Sequence, residues 1–234
     1  MTIAIQRADE RFHTDIGWLD SKHSFNFGSH YREGEGGHGL LLVNNDDRVA
    51  AGGGFGTHGH RDMEIVTWVL SGQLAHQDSE GNNGVLYPGL AQRMSAGRGI
   101  RHSEMNASET EPVHFVQMWV SPDTDGVDPG YEQRDINDAL ATGQLVPIAS
   151  GKGHEGAVSL HQRDAVLWGA RVAAGACVDL PSDAHVHAFI ALGDGSFDDG
   201  TKLAAGDAAR ITGKQSLKFT AGSSGAELLV WATA

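Results

Sequence analysis

The sequence predicts an all-β protein. Short apolar runs rich in β-branched and aromatic residues recur along its 234 residues, and glycine, aspartate, asparagine or serine separates them. Glycine is abundant, at 32 residues, whereas proline occurs only 6 times. Hydrophobic residues make up 40% of the chain, which argues against low-complexity disorder. A chain of this length can form one large β domain or two smaller ones.

In the first half of the chain, the apolar runs at 38–43 and 63–70 predict strands. NNDD at 44–47 and EGNNG at 80–84 have the composition of turns, because these residues accept turn conformations readily. VHFVQMWV at 113–120 is hydrophobic on both faces, so we expect a strand buried between two layers.

The pattern changes near the middle of the chain. An acidic, loop-like segment at 122–130 is followed by DINDALATG, which predicts a short helix that Asn or Asp caps and Gly143 ends. We therefore expect a domain junction here, with domains at 1–135 and 136–234. Strand-like runs then resume, separated by turns: VSLHQ, VLWGARV, CVDL, HVHAFIAL, DAARIT, SLKFT and AELLVWAT.

Two pairs of polar residues form the most informative pattern: His58 with His60, and His102 with Glu104. Each pair is two residues apart, so on a strand both side chains point to the same face. Two adjacent strands could then direct three imidazoles and one carboxylate at a single point. These ligand types suit a divalent transition metal such as iron, nickel, copper, manganese or zinc.

Histidine is common in this chain, at 13 residues, so one His-x-His pair alone carries little weight. His185 and His187 form such a pair without partners, and we expect them on a half-exposed strand. For the first pair, the alternative to a metal site is a set of hydrogen-bonded or solvent-facing histidines on a sheet.

The first pair resembles the first motif of the cupin superfamily. Gly52, His58, His60 and Glu64 fit the spacing of that motif, while its closing Gly72 stands one place late. The resemblance is closest to the bacterial pirins that are identified as quercetinases. Segments that carry it are GWLDSKHSFNFGSHY, GFGTHGHRDMEIVTWVLSG, MSAGRGIRHSEMN, FVQMWVSP, PGYEQR and LHQRDAVLW.

The second motif supports the narrower resemblance. Gly99, His102 and Asn106 fit its cupin ending, and Gly97 stands where proline is usual. The His-x-Glu sequence is similar to pirins, in which that glutamate binds the metal in place of the motif-one glutamate. The resemblance implies a bicupin of two β-sandwich or jelly-roll barrel domains, with the metal site in the N-terminal one. It also implies that His58, His60, His102 and Glu104 hold one divalent ion, with iron the first choice and nickel, cobalt, manganese, copper or zinc tolerated.

The resemblance implies a quercetin 2,3-dioxygenase, which opens the heterocyclic ring of a flavonol with O2 and releases carbon monoxide. Glu104 would then be both a metal ligand and the base for the flavonol hydroxyl. Glu64 would orient a ligand histidine or be an ordinary strand carboxylate. One alternative is a non-enzymatic, metal-binding pirin that acts as a redox-sensing or protein-binding regulator. Another is a cupin oxygenase or isomerase acting on a different phenolic.

Composition limits the partners and the location. The net charge of −13 argues against nucleic acid and against an anionic membrane surface. The single cysteine, Cys177, lies in an apolar run, and we expect it to be a small buried core residue. It cannot form an internal disulfide, and the sequence contains no signal-peptide or membrane-helix pattern, so we expect a cytoplasmic protein. We also expect a monomer.

Other polar residues near these motifs are weaker candidates. We expect His23 near the barrel mouth in a packing role, and His76 or His114 could line the pocket. Arg98 and Arg101 lie beside the second motif, and solvation at the surface is their expected role.

Overall fold

The computed structural model describes residues 2–234, and this part of the chain is almost entirely β. Its single helix, α1, spans Asn137–Leu140. The strands are β1 (Thr2–Gln6), β2 (Phe12–Asp15), β3 (Leu19–His23), β4 (Leu41–Val49), β5 (Gly54–His60), β6 (Glu64–Ser71), β7 (Leu74–Asp78), β8 (Asn83–Leu86), β9 (Leu90–Ser95), β10 (Ile100–Asn106), β11 (Val113–Val120), β12 (Gly130–Asp135), β13 (Val146–Ser150), β14 (Val158–Ser159), β15 (Ala165–Val172), β16 (Cys177–Asp179), β17 (His185–Phe197), β18 (Lys202–Ala204), β19 (Ala208–Thr212) and β20 (Lys218–Thr233).

The N-terminal half is a sandwich of two sheets, which confirms the predicted fold class. A seven-stranded sheet has the order β12-β9-β6-β11-β4-β3-β2 and faces a four-stranded sheet of order β5-β10-β7-β8. Neither sheet closes into a complete ring. Buried residues from both sheets pack between them, among them Val69 and Phe115 from the larger sheet and Leu74 and Leu86 from the smaller.

The C-terminal half is built on a nine-stranded sheet with the main order β1-β19-β17-β20-β15-β13-β14. The first strand of the chain thus belongs to the sheet of the second half, since β1 pairs with β19. A shared hydrophobic core also joins the halves: Trp68 and Val116 pack in one buried cluster with Leu167 and Trp231. The boundary between residues 135 and 136 stays a prediction.

The predicted turn at residues 44–47 is wrong, because these residues lie inside β4 and are buried. Their polar side chains form hydrogen bonds and ion pairs with residues of neighbouring elements, and not with the backbone of a turn. Asp46 binds Arg11 and His114, whereas Asp47 accepts a hydrogen bond from Ser21. These tertiary partners outweigh the local turn preference of Asn and Asp.

The buried strand at 113–120 and the short helix are confirmed, but the helix ends at Leu140, three residues before Gly143, whose φ is +70°. The predicted Asn or Asp cap is wrong, because the N-cap of α1 is Ile136 and makes no side-chain capping bond. Asp135, one residue earlier, accepts a hydrogen bond from the backbone N–H of Asn137. No helix in residues 2–234 is long and apolar enough to cross a membrane.

Two expectations for the second half are corrected by strand alternation. Cys177 is exposed rather than buried, because it lies on the outward face of β16 while its neighbour Val178 points inward. His187 is only 1% exposed, whereas His185 is half-buried. The prediction of a half-exposed position is therefore confirmed for His185 and wrong for His187.

Candidate metal centre

Strand pairing brings the two sequence pairs together. The central strand β10 lies between β5 and β7, and His102 lies directly opposite His58 in the register. A β-bulge between His102 and Glu104 places the latter opposite Phe55. Such a bulge re-aims side chains locally, and the glycine-rich sequence of β5 accommodates it.

The three imidazoles of the predicted site form a compact cluster. Their ring centroids are 4.4 Å apart for His58 and His102, 4.9 Å for His58 and His60, and 5.0 Å for His60 and His102. Each ring offers a nitrogen within 4.8 Å of those of the other two. Small side-chain movements from this arrangement would bring all three nitrogens to one ion at the usual metal–imidazole distance of roughly 2.0–2.1 Å.

The donor atoms of this cluster fit a metal ion. Nε2 of His60 and both ring nitrogens of His102 are buried without a hydrogen-bond partner. Burial, with a smaller contribution from His58, lowers the pKa of His60 to about 4, and burial likewise depresses the pKa of His102. Both rings are therefore neutral near pH 7, as metal ligands must be. Buried polar atoms without partners are costly, and coordination would satisfy them.

His58 is oriented by the bulged backbone. Its Nδ1 lies 2.8 Å from the carbonyl oxygen of Gly56, to which it must donate. The Nε2 atom therefore carries the free lone pair. Fixing the tautomer through the second nitrogen is the usual way in which proteins orient a ligand histidine.

Glu104 lies deep between the two sheets and is 3% exposed. Both of its carboxylate oxygens accept hydrogen bonds from Nε2 of Gln117, each at 2.9 Å. Gln117 is held in turn by Trp119, whose Nε1 donates to it at 3.0 Å and whose ring packs edge-on against His60. Burial raises the pKa of Glu104, and the bonds from Gln117 oppose that rise.

A second group of possible ligands shares one member with the first. His76, His102 and Glu104 also offer ligand atoms within 4.8 Å of one another. In the register His76 lies opposite Glu104, and its Nε2 is 3.3 Å from Asp78. His76 thus lies beside the predicted centre. His114 instead bonds Asp46, which does not line the cavity at the centre.

A cavity of about 200 Å³ opens beside this cluster. Residues from both sheets line it: Leu19, Ser21, His23, Phe27, Asn45, Asp47, Phe55, His58, His60, Glu104 and Gln117. The expected place of His23 near the site agrees with this lining. Burial raises the pKa of Asp47 to about 7, and the nearby charges of Asp46 and Glu104 add to the effect.

Glu64 has a different position from the one that the cupin motif suggests. It is buried on β6, where it accepts hydrogen bonds from Ser95 Oγ at 2.9 Å and from the backbone N–H of His161 at 3.1 Å. His161 follows β14 in the second half of the chain. Glu64 therefore joins the two halves and makes no hydrogen bond to a histidine of the cluster.

Sequence reasoning missed Gln117, Asn45 and Asp47. Gln117 is a polar residue inside a strand with apolar residues on both faces, and that mismatch was a usable signal. Asn45 and Asp47 lie in a segment with the composition of a turn, yet their two-residue spacing also places them on one face of a strand.

Arg98 forms an ion pair with Asp128 at the surface, which agrees with its expected solvated role.

The fold and the cluster define the class of this protein as a two-domain cupin with a histidine-rich candidate metal centre. The chain belongs to the pirin family. The Pirin model matches residues 5–120, and the model of the quercetinase C-terminal cupin domain matches residues 147–231.

Several relatives resemble most of the chain. A Mycobacterium tuberculosis protein, provisionally named quercetin 2,3-dioxygenase, is 54% identical over 98% of this chain and 94% of its own length. Quercetin 2,3-dioxygenase of Escherichia coli is 48% identical over 68% of each chain. The crystal structure of the bacterial pirin YhhW from Escherichia coli, in complex with nickel(II), superposes with a TM-score of 0.90 at 36% identity and covers 99% of both chains.

Proposed function

We propose that this protein is a metal-dependent dioxygenase that cleaves a flavonol of the quercetin type. The observation that carries the proposal is the set of neutral, unpartnered imidazole nitrogens at a cavity whose wall also contains a buried carboxylate. The names of the mycobacterial and Escherichia coli relatives support the same reaction class.

In this proposal His58, His60, His102 and Glu104 hold one divalent transition ion. When bound, that ion would polarise the adjacent hydroxyl and ketone of a flavonol and lower the pKa of the hydroxyl. Iron is our first choice from the ligand types, and the nickel complex of the related pirin makes nickel the main competitor.

Glu104 is the proposed proton acceptor. Its carboxylate takes the proton of the flavonol hydroxyl, and the electron pair stays on the substrate oxygen, which makes the ring electron-rich toward O2. A metal-bound carboxylate is normally a weak base, and burial, which raises the pKa of Glu104 in the metal-free site, acts in the direction that this role requires. Gln117 holds the carboxylate in place during this transfer.

The shape of the site favours catalysis over a purely regulatory role. Three of the four candidate ligands line a recessed cavity that has Phe27 and Phe55 in its wall. Recessed, partly aromatic pockets with a few polar groups are typical of small-molecule sites, whereas protein partners need broad surfaces. We accordingly propose a small aromatic substrate and O2 as partners, and a cytoplasmic monomer as the working form.

The proposal is tested by mixing anaerobically purified, metal-analysed protein with quercetin and then following O2 uptake and carbon monoxide release together. We expect one carbon monoxide per O2, with both lost in His58→Ala. His13→Ala is the matched control, because His13 is exposed and bonded to Asp20. Metal-loaded protein that consumes no O2 with quercetin would refute the proposal.

The role of Glu104 needs its own experiment. Glu104→Gln keeps the shape of the side chain and can still accept a hydrogen bond from Gln117, but it cannot take up a proton. We expect it to retain metal and to lose turnover by about 100-fold or more, the usual contribution of a positioned base. Unchanged turnover at full metal loading would rule out Glu104 as the base.

A further inference from the structure

The cavity has a polar wall opposite the histidines, built by two neighbouring strands. In the register of β3 and β4, Ser21 pairs with Asp47 and His23 pairs with Asn45. All four residues are buried and line the cavity. The histidines come from the other sheet, so a ligand in the cavity lies between the two sets.

The amide of Asn45 presents a free donor to this space. Its Oδ1 lies 2.8 Å from Nδ1 of His23, and the far side of that ring is held by Thr14 at 3.0 Å. Within residues 2–234 the structure shows no acceptor for Nδ2 of Asn45. Nδ2 is not fully enclosed by protein atoms, so it faces the cavity that Asn45 lines.

Asp47 presents a second polar group two residues further along the same face of β4. Its Oδ1 accepts a hydrogen bond from Ser21, and Oδ2 has no hydrogen-bond partner within residues 2–234. A buried carboxyl group is costly unless its oxygens are bonded. Two adjacent, preorganised groups that leave bonding capacity unused are typical of a ligand-recognition wall.

The size of the cavity limits what this wall can contact. At about 200 Å³ the cavity is smaller than the roughly 300–1,000 Å³ of pockets that enclose most of a drug-sized ligand. One hydroxylated ring system therefore fits between the wall and the histidines, while the rest of a larger aromatic ligand extends through the opening past Phe27 and Phe55.

We propose that Asn45 and Asp47 are specificity-determining residues that bind hydroxyl groups of the substrate other than the hydroxyl–ketone pair. The wall selects polyhydroxylated aromatic compounds over the same ring skeleton without those hydroxyls. This inference rests on the proposed function for its substrate class, but it concerns binding and not turnover. Asn45 donates to a ring oxygen, and Asp47 accepts from a ring hydroxyl.

The test is an anaerobic binding titration of metal-loaded protein with quercetin and with 3-hydroxyflavone, which keeps the hydroxyl–ketone pair and lacks the other hydroxyls. We expect the wild type to bind quercetin at least about tenfold more tightly, as two added hydrogen bonds allow. In Asn45→Ala and Asp47→Asn, affinity for quercetin should fall about three- to tenfold each. Affinity for 3-hydroxyflavone should stay the same.

Asn44→Ala is the matched control. Asn44 is a buried amide on the same strand, but it points to the other face, where it donates to Ser24. It should destabilise β4 without changing either affinity, and metal content is measured for every variant.

Equal losses of affinity for both flavonols in the Asn45 and Asp47 variants would overturn the inference. It would also be overturned if the wild type bound both flavonols equally well or bound neither. The wild type could prefer quercetin, and the variants could lose that preference, although the protein releases no carbon monoxide. That result would support the role of Asn45 and Asp47 in binding and refute the dioxygenase proposal.

Discussion

Removal of the Glu64 carboxylate should weaken the junction between the two halves and leave the metal centre intact. Glu64→Ala deprives Ser95 Oγ and the backbone N–H of His161 of their acceptor, and both bonds are to a buried carboxylate. Hydrogen bonds to charged groups contribute about 1.5–3 kcal/mol each. Ser95 Oγ lies 3.1 Å from Nδ1 of His161 and keeps that partner in the variant, so part of the loss is recovered there.

We therefore expect the free energy of unfolding to fall by about 2–4 kcal/mol in Glu64→Ala. For a chain of this size, that corresponds to a decrease of about 5–15 °C in Tm. Thermal unfolding followed by circular dichroism measures the change, and Glu33→Ala serves as the control because Glu33 is exposed. Metal affinity, measured by competition with a chelator, should stay within about twofold of wild type.

The opposite pattern would refute this reasoning. A variant with unchanged Tm and at least tenfold weaker metal binding would place Glu64 in the metal centre, as in typical cupins. The experiment therefore distinguishes the role that the sequence motif implies from the role that the tertiary contacts imply.

Three further predictions concern the centre itself. Gln117→Leu removes the hydrogen bonds to Glu104, which raises the pKa of that carboxyl further, so the acidic limb of the kcat profile should move to higher pH. His102→Ala should lower metal affinity at least about 100-fold at pH 7, because it removes the ligand shared by both candidate groups; metal analysis after dialysis measures the loss. The pKa of Asp47 is raised to about 7 in the folded state. Between about pH 4 and pH 7 the unfolded state therefore loses this proton while the folded state keeps it, so the free energy of unfolding falls as pH rises. Metal-free Asp47→Asn should thus gain stability over wild type in urea at pH 8 by at most about 4 kcal/mol, and little at pH 4; an equal gain at both values would contradict the assignment.

The sequence alone predicted the fold class, and it singled out three histidines, His58, His60 and His102, that the structure brings together. Alternating and apolar runs fix which segments can form strands, because strand side chains repeat every two residues. The same period made His58 and His60 share a face, and likewise His102 and Glu104. That these four residues bind a metal stays a prediction, although the structure brings the three imidazoles together.

Predictions from the sequence were wrong at positions whose environment depends on residues far away in the chain. NNDD at 44–47 has the local preferences of a turn, but Ser21, His23 and Arg11 supply partners that make it a buried strand. Cys177 lies in an apolar run, yet the register of β16 turns it toward solvent. Local composition could not show either outcome, because both depend on pairing between strands far apart in sequence.

The amino-acid sequence by itself determined most of the apolar strands, the candidate ligands and the family resemblance, since these depend on short-range spacing. Only the tertiary structure decided what surrounds the centre. It placed Gln117 against Glu104, turned Asn45 and Asp47 into the cavity, and moved Glu64 to the contact between the halves. The physical reason is that burial and hydrogen-bond partners come from strands that meet only when both sheets have formed.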